Sequence, residues 1–76
     1  MNDINLKHLE RLRFIDFLLD HYGMVDRSAL VDYFGIGPAQ ATRDLRQYAA
    51  MAPGNMVLNQ STKKYLRAET YARMIL

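Results

Sequence analysis

Apolar residues in the first third of the chain recur at three- and four-residue steps. Leu9, Leu12, Ile15, Leu19 and Tyr22 form the series with Leu18 alongside, while Glu10, Arg11, Arg13, Asp16 and Asp20 fill much of the remaining surface. This spacing predicts an amphipathic helix over about residues 5–22. Gly23 follows as its C-cap, because glycine enters the left-handed region without a Cβ clash. After the short extended pair Met24 and Val25, Asp26 is placed to accept from the free amides of a second helix, about 27–34, with Leu30, Val31 and Phe34 as its buried face. Gly35, Ile36 and Gly37 read as a turn. Pro38 opens a third helix, about 38–50, at the position where a missing N–H costs nothing.

Beyond the breakers Pro53, Gly54 and Asn55 the period changes. MVLN (56–59) and KYLR (64–67) are short strand-like runs on either side of Gln60, Ser61, Thr62 and Lys63, which predicts a β-hairpin with a polar, basic tip. The tail AETYARMIL, 68–76, is expected to add a last helical turn or two. Its apolar Tyr71, Met74 and Ile75 would cap the domain or meet a second copy. The pattern as a whole describes one domain over 1–76, mainly α with a small β-hairpin.

Composition narrows the possibilities. A domain of 76 residues buries only roughly 60% of the surface its unfolded chain exposes, so one core is the most it can build. Half of the residues are apolar and 24% charged, a globular balance rather than that of a disordered tail. There is no cysteine, which excludes disulfides, thiolate catalysis and cysteine-bound zinc. No apolar run approaches the roughly 20 residues of a membrane span, and MNDINLKHLE lacks a signal-peptide pattern. The expectation is a cytoplasmic protein with no membrane partner. Charge is distributed unevenly: residues 1–32 carry four basic and six acidic side chains, residues 33–76 six basic and two acidic. An anionic partner such as nucleic acid would suit the second half.

The third helix carries the candidate chemistry. At about 100° per residue, Ala41, Leu45 and Tyr48 share a packing face, flanked by Pro38 and Ala49. Gln40, Thr42, Arg43, Arg46 and Gln47 occupy the other arc, with the small Ala39 among them. A helix, a tight glycine turn and a second helix make a helix-turn-helix, whose second helix enters the major groove. There arginine can donate twice to guanine, glutamine can bridge adenine, and threonine can meet a base edge or a thymine methyl. An Arg/Gln-rich face is also what an ordinary solvated helix presents, so the helix pair alone leaves both readings open. The hairpin, with Lys63 and Lys64 near its tip, tips the balance toward a winged helix-turn-helix, three helices plus a wing whose cations can touch phosphates.

FGIGPAQATRDLRQY (34–48) resembles the recognition segment of the DeoR-like winged helix-turn-helix regulators, with its apolar–glycine–apolar turn followed by Arg43-Asp44-Leu45. The longer pattern, from RLRFIDFLLDHYGMVDRSALVDYFGI through QATRDLRQY to APGNMVLNQSTKKYLRAETY, is similar to the N-terminal DNA-binding domain of bacterial WYL-domain transcriptional regulators, over about Leu9 to Tyr71. The resemblance implies sequence-specific binding of double-stranded DNA for transcriptional regulation, mostly repression. It also implies that Gln40, Thr42, Arg43, Arg46 and Gln47 face the groove or the phosphates, with Lys63 and Lys64 as wing contacts. Ser28 and Arg27 begin the second helix, whose amide-rich end can hold a phosphate or simply be capped. Arg43 has an alternative partner in a carboxylate of the domain, and Asp44 is better suited to orienting an arginine or capping the backbone than to meeting DNA. Gly37 stands where related segments often carry serine, so a capping hydroxyl is missing. Such regulators continue into a larger ligand-sensing WYL domain, which this sequence does not reach. No small-molecule ligand or cofactor is therefore expected here.

Other features point elsewhere weakly. His8 and His21 are thirteen residues apart without ligand spacing, Gly35-Ile36-Gly37 lacks the length and lysine of a P-loop, and neither Ser28 nor Ser61 has a base to activate it. Catalysis is not expected. His21 falls at the negative end of the first helix dipole. The five tyrosines suit core and edge packing with the hydroxyl outward. Because one winged helix reads few base pairs, a homodimer on a two-fold operator is expected. The rival expectation is a winged helix that docks another protein without touching DNA.

Overall fold

The first helix begins where the sequence supplies a cap. In the computed structural model of the protein, which describes residues 5–74, the Asn5 side chain accepts the His8 amide at 2.8 Å, and α1 runs over Leu6–Tyr22. Gly23, at φ 76°, ends it in the left-handed region and returns its N–H to the Leu19 carbonyl at 3.1 Å. The carbonyls beyond that of Leu19 at this end would lack intrahelical partners. Arg67, 48 residues on from Leu19, donates through one guanidinium nitrogen to the Leu19 and Asp20 carbonyls at 3.2 and 2.8 Å. Its charge therefore lies at the negative end of α1.

β1 (Met24–Val25) leads to α2 (Arg27–Phe34), capped by Asp26, whose carboxylate accepts the Ala29 amide at 2.9 Å. Gly35, at φ 67°, closes α2, and α3 (Pro38–Met51) starts with proline in its first turn and no side-chain cap at Gly37. β2 (Met56–Asn59) and β3 (Lys64–Arg67) form the expected hairpin. The extended pair proves to be a third strand, so the sheet order is β1-β3-β2, all antiparallel, with Val25 opposite Tyr65 and Leu58 opposite Tyr65 on the other side. Asn59 builds the hairpin tip: its side chain accepts the Ser61 and Thr62 amides at 2.9 and 3.1 Å, and its carbonyl the Lys63 amide at 2.8 Å. Lys63 takes φ 62° to close it, a left-handed conformation uncommon outside glycine.

One core joins every element. Leu12, Ile15 and Leu19 of α1 meet Val25, Leu30, the Ala41, Leu45 and Tyr48 face of α3, and Met56. Three expectations need correction. Tyr22 is 69% exposed, whereas Asp16 is 6% exposed and occupies the inward position, because the 12, 15, 16, 19 series forms the helix face that meets α3 and the tail. The Tyr48 hydroxyl points inward, donating to Asp16 at 2.6 Å and accepting from Asn55 at 3.0 Å. Burial and the neighbouring carboxylate push that phenol well above its ordinary range.

The third correction concerns the tail, which forms a turn and then an irregular run to residue 74 rather than a helix. Its backbone groups are claimed by side chains instead. Asn55 accepts the Ala72 amide and donates to the Ala72 carbonyl at 2.9 and 2.8 Å, and Asp16 accepts the Met74 amide at 3.2 Å. The Tyr71 hydroxyl donates to the Asp16 carboxylate at 3.1 Å and to its carbonyl at 3.3 Å, and Thr70 donates to the Gly54 carbonyl. Of the two alternatives for the apolar tail, Tyr71 and Met74 follow the capping one and pack on the core, whereas Ile75 lies outside the described residues.

Candidate nucleic-acid interface

α3 is fixed by its buried stripe and turns its other side to solvent. Ala41, Asp44, Leu45 and Tyr48 are buried, while Arg43, Arg46 and Gln47 are exposed. Thr42 is half-buried because it lines a groove bounded by the start of α2, by α3 and by the wing. Asp26, Arg27, Ser28, Leu45, Leu58, Thr62, Lys63 and Tyr65 complete the lining. The fold thus gathers Arg27, Ser28, Thr42 and Lys63, from three parts of the chain, around one open groove. Lys64, paired with Lys63 as a wing contact in the sequence, is half-buried and outside that lining, because the strand has begun there and successive side chains point to opposite faces. Asp26 matters to the electrostatics of the groove. Its carboxylate already satisfies an amide of α2, so an anion entering here meets Arg27, Ser28 and Lys63 more favourably than the helix end itself.

Gln40 and Asp44 differ most from a simple exposed arc. Asp44 has no exposed surface. Its carboxylate accepts from Arg11 Nε at 2.6 Å, more weakly from Arg11 Nη2 at 3.4 Å, and from Gln40 Nε2 at 2.9 Å, with His8 Nδ1 at 3.2 Å. Arg11, not Arg43, pairs with this carboxylate. Gln40 is half-buried, and its Oε1 accepts from Arg43 Nη2 at 3.1 Å. Asp44 orients an arginine, as its position suggested, but that arginine is Arg11 of α1, and neither Arg11 nor His8 stood out in the sequence as its partner. A signal existed, for 41, 44, 45 and 48 form a full helical stripe, and a carboxylate on it requires a buried donor.

Basic residues therefore divide by use. Arg11 and Arg67 are committed to Asp44 and to the end of α1, whereas Arg27, Arg43, Arg46 and Lys63 reach the exposed face of α3 or the groove beside it. Among the described residues, no group of three or more His, Cys, Asp or Glu side chains could hold a metal ion. Nor is any helix there long and apolar enough to cross a membrane.

A helix pair joined through a glycine turn, its second helix exposed and followed by a basic-tipped hairpin, defines a winged helix-turn-helix domain. The chain belongs to the family described as the BrxR transcriptional regulator winged helix-turn-helix domain, whose model matches residues 7–76. It is 44% identical over 55 residues to the DNA-binding transcriptional repressor CapW of Escherichia coli (strain KTE188), a match covering 72% of this chain and 18% of that protein. With the repressor CapW of Pseudomonas aeruginosa it shares 38% identity over 61 residues, 80% of this chain and 20% of the relative. The CapW of Stenotrophomonas maltophilia is 39% identical over 56 residues, 74% of this chain and 19% of the relative. The chain thus spans about a fifth of the length of the curated relatives it matches.

Proposed function

We propose that this domain binds double-stranded DNA to regulate transcription, acting as a repressor by occupying its site. α3 enters the major groove with Arg43, Arg46 and Gln47 toward base edges, while Arg27, Ser28 and Lys63 hold the backbone. Thr42, at the boundary of α3 and the groove, can meet either. The observation that carries this reading is the convergence of Arg27, Ser28, Thr42 and Lys63 on one groove beside the exposed face of α3. Relatives that bear the name DNA-binding transcriptional repressor support it. Binding is expected to involve a homodimer, since two half-sites supply the base pairs that one recognition helix cannot.

Fluorescence anisotropy of a labelled random duplex against the protein, repeated at several salt concentrations, tests the reading. Micromolar binding that falls steeply with salt supports it, because each displaced counterion leaves its mark on the slope. A folded chain that ignores duplex at low salt would sink it. That outcome would favour docking to another protein, a reading supported by the exposed Phe17, Tyr22 and Tyr33 on α1 and α2.

A further inference from the structure

We propose that Gln40 is a positioning residue and Arg43 the base reader it serves: Asp44 holds the Gln40 amide, and Gln40 holds the Arg43 guanidinium. This rests on the DNA-binding reading above and specifies which side chain of α3 carries specificity. The buried end of the chain is rigid, because Asp44 is wholly enclosed and anchored from α1 by Arg11 Nε at 2.6 Å and His8 Nδ1 at 3.2 Å. An ionised carboxylate only accepts hydrogen bonds, so the Gln40 group facing Asp44 at 2.9 Å is the amide nitrogen. That choice leaves Oε1 facing outward, where it accepts from Arg43 Nη2 at 3.1 Å.

Two consequences follow for recognition. Bidentate reading of adenine needs both ends of a glutamine amide at one base. Both ends of Gln40 are engaged within the domain, so it is a poor adenine reader. Arg43, by contrast, gives one of its five N–H donors to a neutral acceptor and keeps its full charge. Had Arg43 paired with Asp44 directly, its charge would be offset as that of Arg11 is. Gln40 stands between them and links the guanidinium to the core through a neutral group. A long side chain already restrained loses less freedom when it docks on guanine O6 and N7.

The test is selection from a library of duplexes with a randomised core, using the parent chain, Gln40→Met, Arg43→Met and the double variant. Asp44 keeps Arg11 and His8 in Gln40→Met, so the fold is expected to stand, and circular dichroism checks it. The parent should enrich guanine at a position where Arg43→Met loses the preference. Gln40→Met should weaken that same preference by about tenfold, alter no other position, and change nothing further in the Arg43→Met background. A preference lost in Gln40→Met but kept in Arg43→Met would overturn the proposal, as would an unchanged guanine preference in Gln40→Met. The parent alone supplies a second measurement. Replacing the selected guanine by 7-deazaguanine should weaken its binding, whereas sensitivity confined to 7-deazaadenine would contradict the assignment. Absence of any enrichment by the parent would instead overturn DNA binding itself, and this inference with it.

Discussion

Two buried carboxylates organise the domain residue by residue. Asp16 accepts from Tyr48, Tyr71 and the Met74 amide, so it ties α3 and the tail to α1. Removing it strands the buried Tyr48 hydroxyl and takes a partner from Tyr71 and the Met74 amide. Asp16→Ala is expected to cost about 3 kcal/mol, read from the urea midpoint, whereas Asp20→Ala, at an exposed position, should change stability little. A pH dependence follows from the same group. Burial, and then the Asp16 charge and hydrogen bond, push the Tyr71 phenol from 10.0 up to about 12. A raised acid is favoured in its protonated form by folding, so this contribution is complete below pH 10.0 and is lost as pH rises through about 12. Thermal melting across that window should show stability falling with pH, and Tyr71→Phe should make the fall shallower. A steeper fall in the variant would contradict the account.

Element ends and turns show where local chemistry is incomplete. Gly37 has extended backbone at φ −77° and open space where a Cβ would project, yet it leaves α3 without a side-chain cap. Gly37→Ser should stabilise the domain by about 0.5–1 kcal/mol, partly through the new cap and partly by restricting the unfolded chain. The wing tip has the opposite problem. Lys63 holds a left-handed backbone that glycine would adopt freely, but its cation borders the groove. Lys63→Gly should raise the melting temperature slightly while weakening duplex binding for every sequence and reducing the salt slope by about one counterion. A variant that gained stability and bound as before would remove Lys63 from the interface.

At the scale of the whole molecule, net charge is a poor guide and the placement of charge a good one. The +2 balance conceals that Arg11 and Arg67 serve the fold, leaving the exposed face of α3 and the groove to other cations. Base readers and backbone contacts should separate in solution. Arg46→Ala is expected to relax base preference at one operator position at a cost of about 1–3 kcal/mol, whereas Arg27→Ala, in the groove lining, should weaken all duplexes alike. Competition between a selected operator and random duplex distinguishes the two. Equal behaviour of both variants and the parent would dissolve the division of roles.

Helix positions, the glycine turn, the Pro38 start and the hairpin were all legible, because each rests on local rules of period, capping and backbone freedom that a few neighbouring residues satisfy. The exposure of Arg43, Arg46 and Gln47 on α3 was legible for the same reason, as the complement of an apolar stripe. Three things required the folded molecule. Asp16 and Asp44 occupy the i+4 and i+3 positions of stripes that periodicity had drawn, but their polarity hid them until Tyr48, Tyr71, Arg11 and His8 came within hydrogen-bonding distance. The tail has helical composition yet stays irregular, because Asn55 and Asp16 bind its backbone from 17 and 58 residues away. Gln40 looked like a free reader until Asp44 and Arg43 engaged both ends of its amide. Sequence alone determined the elements and the outward face. Tertiary structure decided which polar groups that face retains, because the pairing of a buried donor with its acceptor depends on distances that no local pattern records.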